Sequence, residues 1–165
     1  MMLQLASTGC LVLGGIHTSD ASSAASHLMD IGLEPAFVAS SLLGVLGQRL
    51  ARRICRHCRE TYRPSRSALS VLGLGTDCRQ IETLWRGRGC RQCRQTGYLG
   101  QVLLRELLIN SAAIQESIRA YAPAAQIRAE AIQHGMKSFR TDGAQEVLQG
   151  ETTIEEVLRV TPTHG

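Results

Sequence analysis

The chain has few aromatic residues, a single lysine and no long apolar run. Phe, Trp and Tyr make up only 4% of its 165 residues, too few to suggest the aromatic surface on which single-stranded nucleic acids stack. Its longest apolar candidate, residues 36–47, is shorter than the roughly 18 residues of a transmembrane helix and contains two serines. The sequence therefore predicts a soluble protein and disfavours a base-stacking function.

Positive charge is missing from the N-terminal part. No Lys or Arg precedes Arg49, and the apolar stretch ahead of Cys10 is short, so neither a secretory signal nor a lipoprotein site is expected. A reducing, cytoplasmic compartment fits better, where paired cysteines bind metal more often than they form disulfides. The 44% of hydrophobic residues suffices for the core of one domain or of two small ones.

The arginines are concentrated in the middle of the chain. Residues 47–105 contain thirteen of them against Glu60, Asp77 and Glu82. Such a basic region suits phosphates, an anionic membrane surface or an acidic protein partner. The alternative is that the arginine stems only solvate a small lobe.

Two cysteine pairs lie within this basic region, each with the spacing Cys-x-x-Cys. Two such turns place four sulfurs around one ion at about 2.3 Å, which is typical of a closed, structural zinc site. The predicted ligands are Cys55, Cys58, Cys90 and Cys93. His57 and Cys78 are weaker alternatives, and we expect Cys10 and Cys78 to be small buried hydrophobic residues.

The spacing of apolar residues predicts a mixed α/β fold. Strands are expected over residues 11–16 and 101–109. Helices are expected over residues 21–30, from Pro35 to about Leu46, around Ile114, around Ile127 and over 141–148. Thr152 and Glu155 have the spacing of a capping box, which predicts a last helix that extends to Arg159.

Several short segments occur in an order that resembles one family, the ATPases that drive type II secretion and type IV pilus assembly. The segments are TGCLVLGGIHTSDA (8–21), DIGLEP (30–35), ASSLLGVLGQRL (39–50), the two cysteine pairs, TGY (96–98), ELL (106–108), GM (135–136), DG (142–143), Gly150 and TTIEEVLRVT (152–161). Together they cover nearly the whole chain.

The resemblance implies the C-terminal portion of a RecA-like P-loop ATPase domain with a small tetracysteine zinc-binding insertion and a C-terminal helical subdomain. The implied boundaries are 1–54 for the remainder of the ATPase core, 55–99 for the metal-binding subdomain, 100–109 for a strand that returns to the core and 110–165 for the helical subdomain. In that family, six subunits form a ring that hydrolyses ATP with Mg²⁺.

The resemblance also implies roles for three further residues. His17 corresponds to the family's histidine box, where an imidazole contacts a γ-phosphate or the attacking water. Gln48 and Arg49 match a segment near the nucleotide. The alternatives are that His17 caps the following helix or is merely solvated, and that Arg49 pairs with an acidic residue across a subunit contact.

A phosphate-binding loop, Gly-x-x-x-x-Gly-Lys-Ser/Thr, does not occur in the sequence, because Lys137 is the only lysine and Met136 precedes it. We therefore expect little ATP hydrolysis by the chain alone. The implied partners are identical subunits and inner-membrane platform proteins, without specific nucleic acid, for a protein peripheral to the cytoplasmic face of the inner membrane. A nucleic-acid-binding zinc ribbon and a non-catalytic assembly module remain alternatives.

Overall fold

The computed structural model describes Ala6, residues 8–72 and residues 81–161. In chain order, its helices and strands are α1 (Ala21–Asp30), α2 (Pro35–Ser41), β1 (Gly44–Ile54), β2 (Arg59–Tyr62), α3 (Arg66–Val71), β3 (Leu84–Gly87), β4 (Tyr98–Ile109), α4 (Ala112–Arg119), α5 (Ala124–Gln133), α6 (Phe139–Leu148) and α7 (Ile154–Val160). The mixed α/β class is confirmed. Within these described residues, no helix is long and apolar enough to cross a bilayer.

The described strands form two separate two-stranded sheets. β1 pairs with β4, and β2 pairs with β3 in antiparallel register, with Arg59 opposite Gly87. β4 alternates buried and exposed residues from Val102 to Ile109, as expected of a strand with one face in a core. The predicted strand over residues 101–109 is confirmed, and it begins earlier, at Tyr98.

The chain divides into two compact units. The first consists of Met1–Gly47 and Glu106–Met136, and the second of Gln48–Arg105 and Lys137–Gly165. The four C-terminal helices are divided between these two units. α4 and α5 belong to the first unit, where their apolar residues join a core with α1 and α2, whereas α6 and α7 belong to the second.

In the first unit, α1 confirms the predicted helix over residues 21–30. Its N-cap is Asp20, whose Oδ1 accepts a hydrogen bond from the backbone N–H of Ser23 at 2.7 Å. Gly32 follows the helix with φ of 95°, a left-handed conformation that glycine adopts without strain. Ala21, Ala25 and the helix α5 residue Ile127 lie in one buried cluster.

The expected end of α2 near Leu46 is wrong, because the helix ends at Ser41 and β1 starts at Gly44. Asn110 explains this early stop. Its side-chain amide donates to the carbonyls of Ala39 (2.8 Å) and Leu42 (2.6 Å), and its backbone N–H donates to Leu43. The last helical carbonyls are thus satisfied by a residue from the end of β4 instead of by another helical turn.

The strand expected over residues 11–16 is also wrong. This segment has no regular secondary structure, and no described strand pairs with it. Leu11 is 75% exposed and Leu13 is 85% exposed. The apolar run predicted burial, but a strand needs a neighbour to satisfy its backbone groups, and periodicity carries no information about that neighbour.

The second unit has its own apolar core, contributed by β1, α3, β3, β4, α6 and α7. Its fully or nearly buried members include Leu72, Leu84, Leu104, Phe139 and Val147. α6 and α7 approach closely at Gly143, where an added Cβ would lie 2.6 Å from a methyl group of Val157. The pair DG at residues 142–143 therefore has a packing role.

The capping box of the last helix is displaced by one residue. Thr153, not Thr152, is the N-cap of α7, and its hydroxyl accepts from the N–H of Glu156. Thr152 instead donates its hydroxyl hydrogen to the carbonyl of Arg52 on β1 at 2.8 Å. Glu156 occupies the third helical position, but its carboxylate does not return to the cap, because arginines bind it.

Glu156 is a buried carboxylate held by two arginines. Its oxygens accept from the Arg52 backbone (3.0 Å) and guanidinium (2.5 Å) and from the Arg159 guanidinium (2.9 and 2.7 Å). Burial alone would raise the pKa of Glu156, but the hydrogen bonds from Arg159 and Arg52 outweigh it and lower the pKa to about 2. The charged carboxylate thus ties α7 to β1.

This network makes the stability of the second unit depend on pH. A carboxyl whose pKa is lower in the folded chain stabilises the fold above its unfolded pKa, about 4.3, and loses that contribution as pH falls toward 2. We expect Glu156→Gln to lower the free energy of unfolding by about 2 kcal/mol at pH 7 and by roughly half as much at pH 3. Urea denaturation at both pH values measures this.

The control is Glu155→Gln, which removes the same charge from the exposed neighbouring residue. We expect it to change stability by less than about 0.5 kcal/mol at either pH. Equal losses for Glu156→Gln at pH 7 and pH 3 would show that the ionised carboxylate does not provide the stabilisation.

Candidate metal centre

The first cysteine pair forms a tight turn between β1 and β2. Cys55 directly follows β1, Cys58 directly precedes β2, and the N–H of Cys58 donates to the carbonyl of Cys55 at 3.2 Å. At its outer ends the turn is held by two backbone bonds, from Cys55 to the carbonyl of Gly97 and from Arg88 to the carbonyl of Cys58. Both sulfurs face inward, since Cys55 is fully buried and Cys58 is 5% exposed.

The second pair lies between β3 and β4 in a more unusual backbone conformation. Arg94 and Gln95 have φ of 52° and 65°, values that residues other than glycine rarely adopt. Two backbone N–H groups point at the sulfur of Cys93, from Cys90 at 3.2 Å and from Gly97 at 3.3 Å. This turn is shaped around a sulfur that accepts hydrogen bonds.

Two glycines allow the backbone at the end of β3 and the backbone just before β4 to come into contact beside the second turn. A Cβ on Gly87 would lie 2.0 Å from the carbonyl oxygen of Gly97, and a Cβ on Gly97 would lie 2.4 Å from that of Gly87. Real side-chain carbons do not come this close to a carbonyl oxygen. The end of β3 and the start of β4 can therefore meet only with glycine at both positions.

The four sulfurs converge on one point. Their Sγ atoms all lie within 4.8 Å of one another, with 3.9 Å from Cys55 to Cys90, 3.9 Å from Cys58 to Cys93 and 3.7 Å from Cys90 to Cys93. Sulfurs at about 2.3 Å from a tetrahedral zinc ion are about 3.8 Å apart. The cysteines are free, not disulfide-bonded, and the group could bind a metal ion.

The environment of the thiols is uneven. Burial raises the pKa of Cys58, with the three neighbouring thiols as further causes. Burial also acts to raise the pKa of Cys93, but the N–H donors of Cys90 and Gly97 outweigh it and the pKa is lowered. A thiolate is thus favoured at Cys93, and thiolates are the form that binds metal.

The structure does not add any other residue to this cluster. His57 lies inside the first turn with its side chain exposed, and it is not one of the grouped ligands among the described residues. Cys10 is exposed, so its expected burial is wrong. Cys78 lies outside the described residues.

The other three predicted site residues are not members of the cysteine cluster. His17 is exposed in the segment that precedes α1, in the first unit. Gln48 and Arg49 are neighbours on β1 in the second unit, where Gln48 is exposed and Arg49 is half-buried. The guanidinium of Arg49 lies 5.9 Å from the centre of the Phe139 ring.

Acidic residues near the functional elements were missed by sequence reasoning. Glu151 pairs with Arg53 at 2.8 Å and with Arg56, inside the first cysteine turn, at 3.5 Å. In the first unit, the fully buried Glu106 accepts from the N–H of Ala21 at 3.3 Å, where α1 begins after the His17 segment. Glu106 could have been found as the one carboxylate within the largely apolar stretch 102–109, whereas no local pattern marks Glu151.

The arginines around the cysteine turns cover aromatic rings. Guanidinium carbons lie over the rings of Tyr98, Trp85 and Tyr62, at 4.2 Å for Arg52, 4.4 Å for Arg59 and 5.4 Å for Arg86. Each contact removes a ring face that a nucleic-acid base would otherwise use.

The chain matches the family model described as "Type II/IV secretion system protein" over residues 1–159. It is 42% identical to the type IV pilus assembly ATPase PilB of Thermus thermophilus, over 94% of this chain and 17% of that protein. It is 41% identical to the type II secretion system protein E of Pseudomonas aeruginosa, over 96% of this chain and 31% of that protein. The type II secretion system ATPase E of Vibrio cholerae is 39% identical, again over 96% and 31%. The chain thus spans less than a third of the length of these relatives.

The sulfur geometry predicts one bound zinc ion per chain after purification under reducing conditions, measured by elemental analysis. We expect Cys90→Ala to lose it, because three sulfurs leave the tetrahedron open. Cys10→Ala, at an exposed cysteine outside the cluster, is the control and should retain it. Less than half an equivalent in the unmodified chain, or a full equivalent in Cys90→Ala, would contradict the prediction.

Proposed function

Because the chain belongs to the type II/IV secretion system protein family, we propose that it is the C-terminal part of a hexameric ATPase that powers type II protein secretion or type IV pilus assembly. The observation that carries this proposal is the match over residues 1–159, which confirms the resemblance seen in the motifs. The order of features supports it further, with the His17 segment first, then the four-cysteine cluster and then the C-terminal helices.

The metal centre in this proposal holds Zn²⁺ and is structural. Four thiolates complete the tetrahedron and leave no position for water or substrate, which distinguishes structural from catalytic zinc. Bound zinc would cross-link the two cysteine turns and would neutralise part of the negative charge of the four thiolates. Residues 55–99 then form the small metal-binding subdomain, 1–54 the remainder of a RecA-like core, 100–109 the returning strand and 110–165 the helical part.

In the complete motor, His17, Gln48 and Arg49 contribute to the ATP site. Exposure of His17 and Gln48 supports this role, because both side chains are accessible to a ligand. The start of α1, four residues after His17, is anchored by Glu106 and by the pairing of its N-cap Asp20 with Arg128 at 3.4 Å. This anchoring supports a defined position for the segment, although Gly14 and Gly15 precede it.

The chain by itself lacks the phosphate-binding loop of an ATPase. The phosphate loop, which cradles the β- and γ-phosphates and helps hold Mg²⁺, has no counterpart in its sequence. ATP hydrolysis therefore belongs to the complete motor. We propose that this motor forms the ring and contacts inner-membrane platform proteins at the cytoplasmic face.

We expect the purified, zinc-loaded chain to show no Mg²⁺-dependent ATP turnover above that of His17→Ala, because positioning and charge neutralisation account for nearly all catalysis of phosphoryl transfer. Phosphate release under saturating ATP measures this. Turnover clearly above the His17→Ala level would contradict the assignment of the chain as catalytically incomplete.

Co-purification tests the motor assignment itself. A tagged form of the chain, co-expressed with a full-length motor subunit of the same family, should be recovered together with that subunit. Failure to associate would favour an inert remnant. Salt-dependent binding to random single-stranded DNA would instead favour the nucleic-acid-binding zinc ribbon, which the arginine-covered rings of Tyr62, Trp85 and Tyr98 do not support.

A further inference from the structure

The turn between α6 and α7 contacts the end of β1 immediately before the first cysteine. The N–H of Ile54, the residue preceding Cys55, donates to the carbonyl of Glu151 at 2.8 Å. The hydroxyl of Thr152 donates to the carbonyl of Arg52, also at 2.8 Å. These bonds connect the backbone of β1 to residues about one hundred positions further along the chain.

The carboxylate of Glu151 holds the first cysteine turn from both sides of Cys55. It pairs with Arg53 at 2.8 Å and with Arg56 at 3.5 Å, and Arg56 lies within the turn. The Glu151 side chain is 24% exposed and that of Arg53 is 39% exposed, so solvent screens this pair only in part, whereas Arg56 is 71% exposed and its pair is weaker. A single carboxylate therefore restrains the backbone that presents the Cys55 sulfur.

The same turn also contacts the strands on either side of the second cysteine pair. An added Cβ on Gly150 would lie 2.5 Å from the ring of Trp85, which is on β3. The hydroxyls of Thr153 and Tyr98, at the start of β4, are 2.8 Å apart. Residues 150–153 thus contact the chain before Cys55, before Cys90 and after Cys93, and we call them the clasp.

We propose that the clasp couples metal occupancy of the four-cysteine site to the folding of helix α7, with Glu151 as a positioning residue for the first cysteine turn. The inference rests on the proposed metal site. Metal binding fixes the ends of β1, β3 and β4, and these are the segments to which the clasp binds. The coupling is reciprocal. If bound metal stabilises the clasp by a given free energy, an intact clasp strengthens metal binding by the same free energy.

The first experiment measures zinc affinity by competition with a chelator. We expect Glu151→Gln to bind zinc about tenfold more weakly than the unmodified chain, the loss typical when a residue that orients a metal ligand is replaced. Glu155→Gln, which removes the same charge from an exposed residue four positions away, should bind as the unmodified chain does.

The second experiment follows amide hydrogen exchange of peptides that cover residues 154–160, with zinc and with chelator. Zinc should slow exchange there in the unmodified chain and do so much less in Glu151→Gln. In the Cys90→Ser background, which lacks a complete site, Glu151→Gln should have no zinc-dependent effect. A merely structural role of Glu151 would instead speed exchange equally with and without zinc.

The outcomes separate the two levels of the proposal. If the unmodified chain binds no zinc, the metal site and the coupling both fail. If zinc binds and protects residues 55–62 and 84–97, while exchange over residues 154–160 and the affinity of Glu151→Gln remain unchanged, the coupling alone is overturned.

Discussion

The convergence of four buried sulfurs within 4.8 Å is the constraint on which the second unit depends. Four thiolates at this separation repel each other strongly in a poorly hydrated site, so only a cation lets all of them ionise. The backbone is arranged to permit the convergence. Gly87 and Gly97 cross where no side chain fits, and Arg94 accepts a positive φ of 52°. These strained or crowded backbone conformations bring the two cysteine turns face to face.

Around this centre, apolar packing and charged contacts have different roles. A fully buried side chain such as Leu84 contributes about 1.5–3 kcal/mol, whereas an exposed ion pair such as Arg86 with Glu60 contributes about 0–1 kcal/mol. The apolar core of the second unit therefore supplies most of its stability. Glu156 differs because its side chain is 2% exposed, and loss of its partners would leave a buried charge unpaired. Glu156 therefore fixes how α7 packs on β1, because its carboxylate keeps its partners only in that arrangement.

Local sequence patterns predicted the elements whose signals are local. The cap and stop of α1 and the spacing of each Cys-x-x-Cys turn are set over a few residues. The errors share a different cause, which is dependence on distant residues. Asn110 ends α2 by binding its last carbonyls, and Thr152 gives up the cap position because its hydroxyl binds Arg52. The contacts of Glu151 with Arg53 and Arg56 join residues about one hundred positions apart, so no short pattern could have indicated them.

The closed geometry of the cysteine cluster is that of a structural site, not a catalytic one. A metal ion with four protein thiolates has no free coordination position, so it cannot activate water or polarise a phosphate. The catalytic group in our proposal is the imidazole of His17, which belongs to the other unit. Its segment has two glycines and exposed leucines, but it ends at a helix start held by Asp20, Glu106 and Arg128. Buried polar contacts there restrain the backbone three and four residues from the imidazole, which is the kind of support that the role we propose for His17 would require.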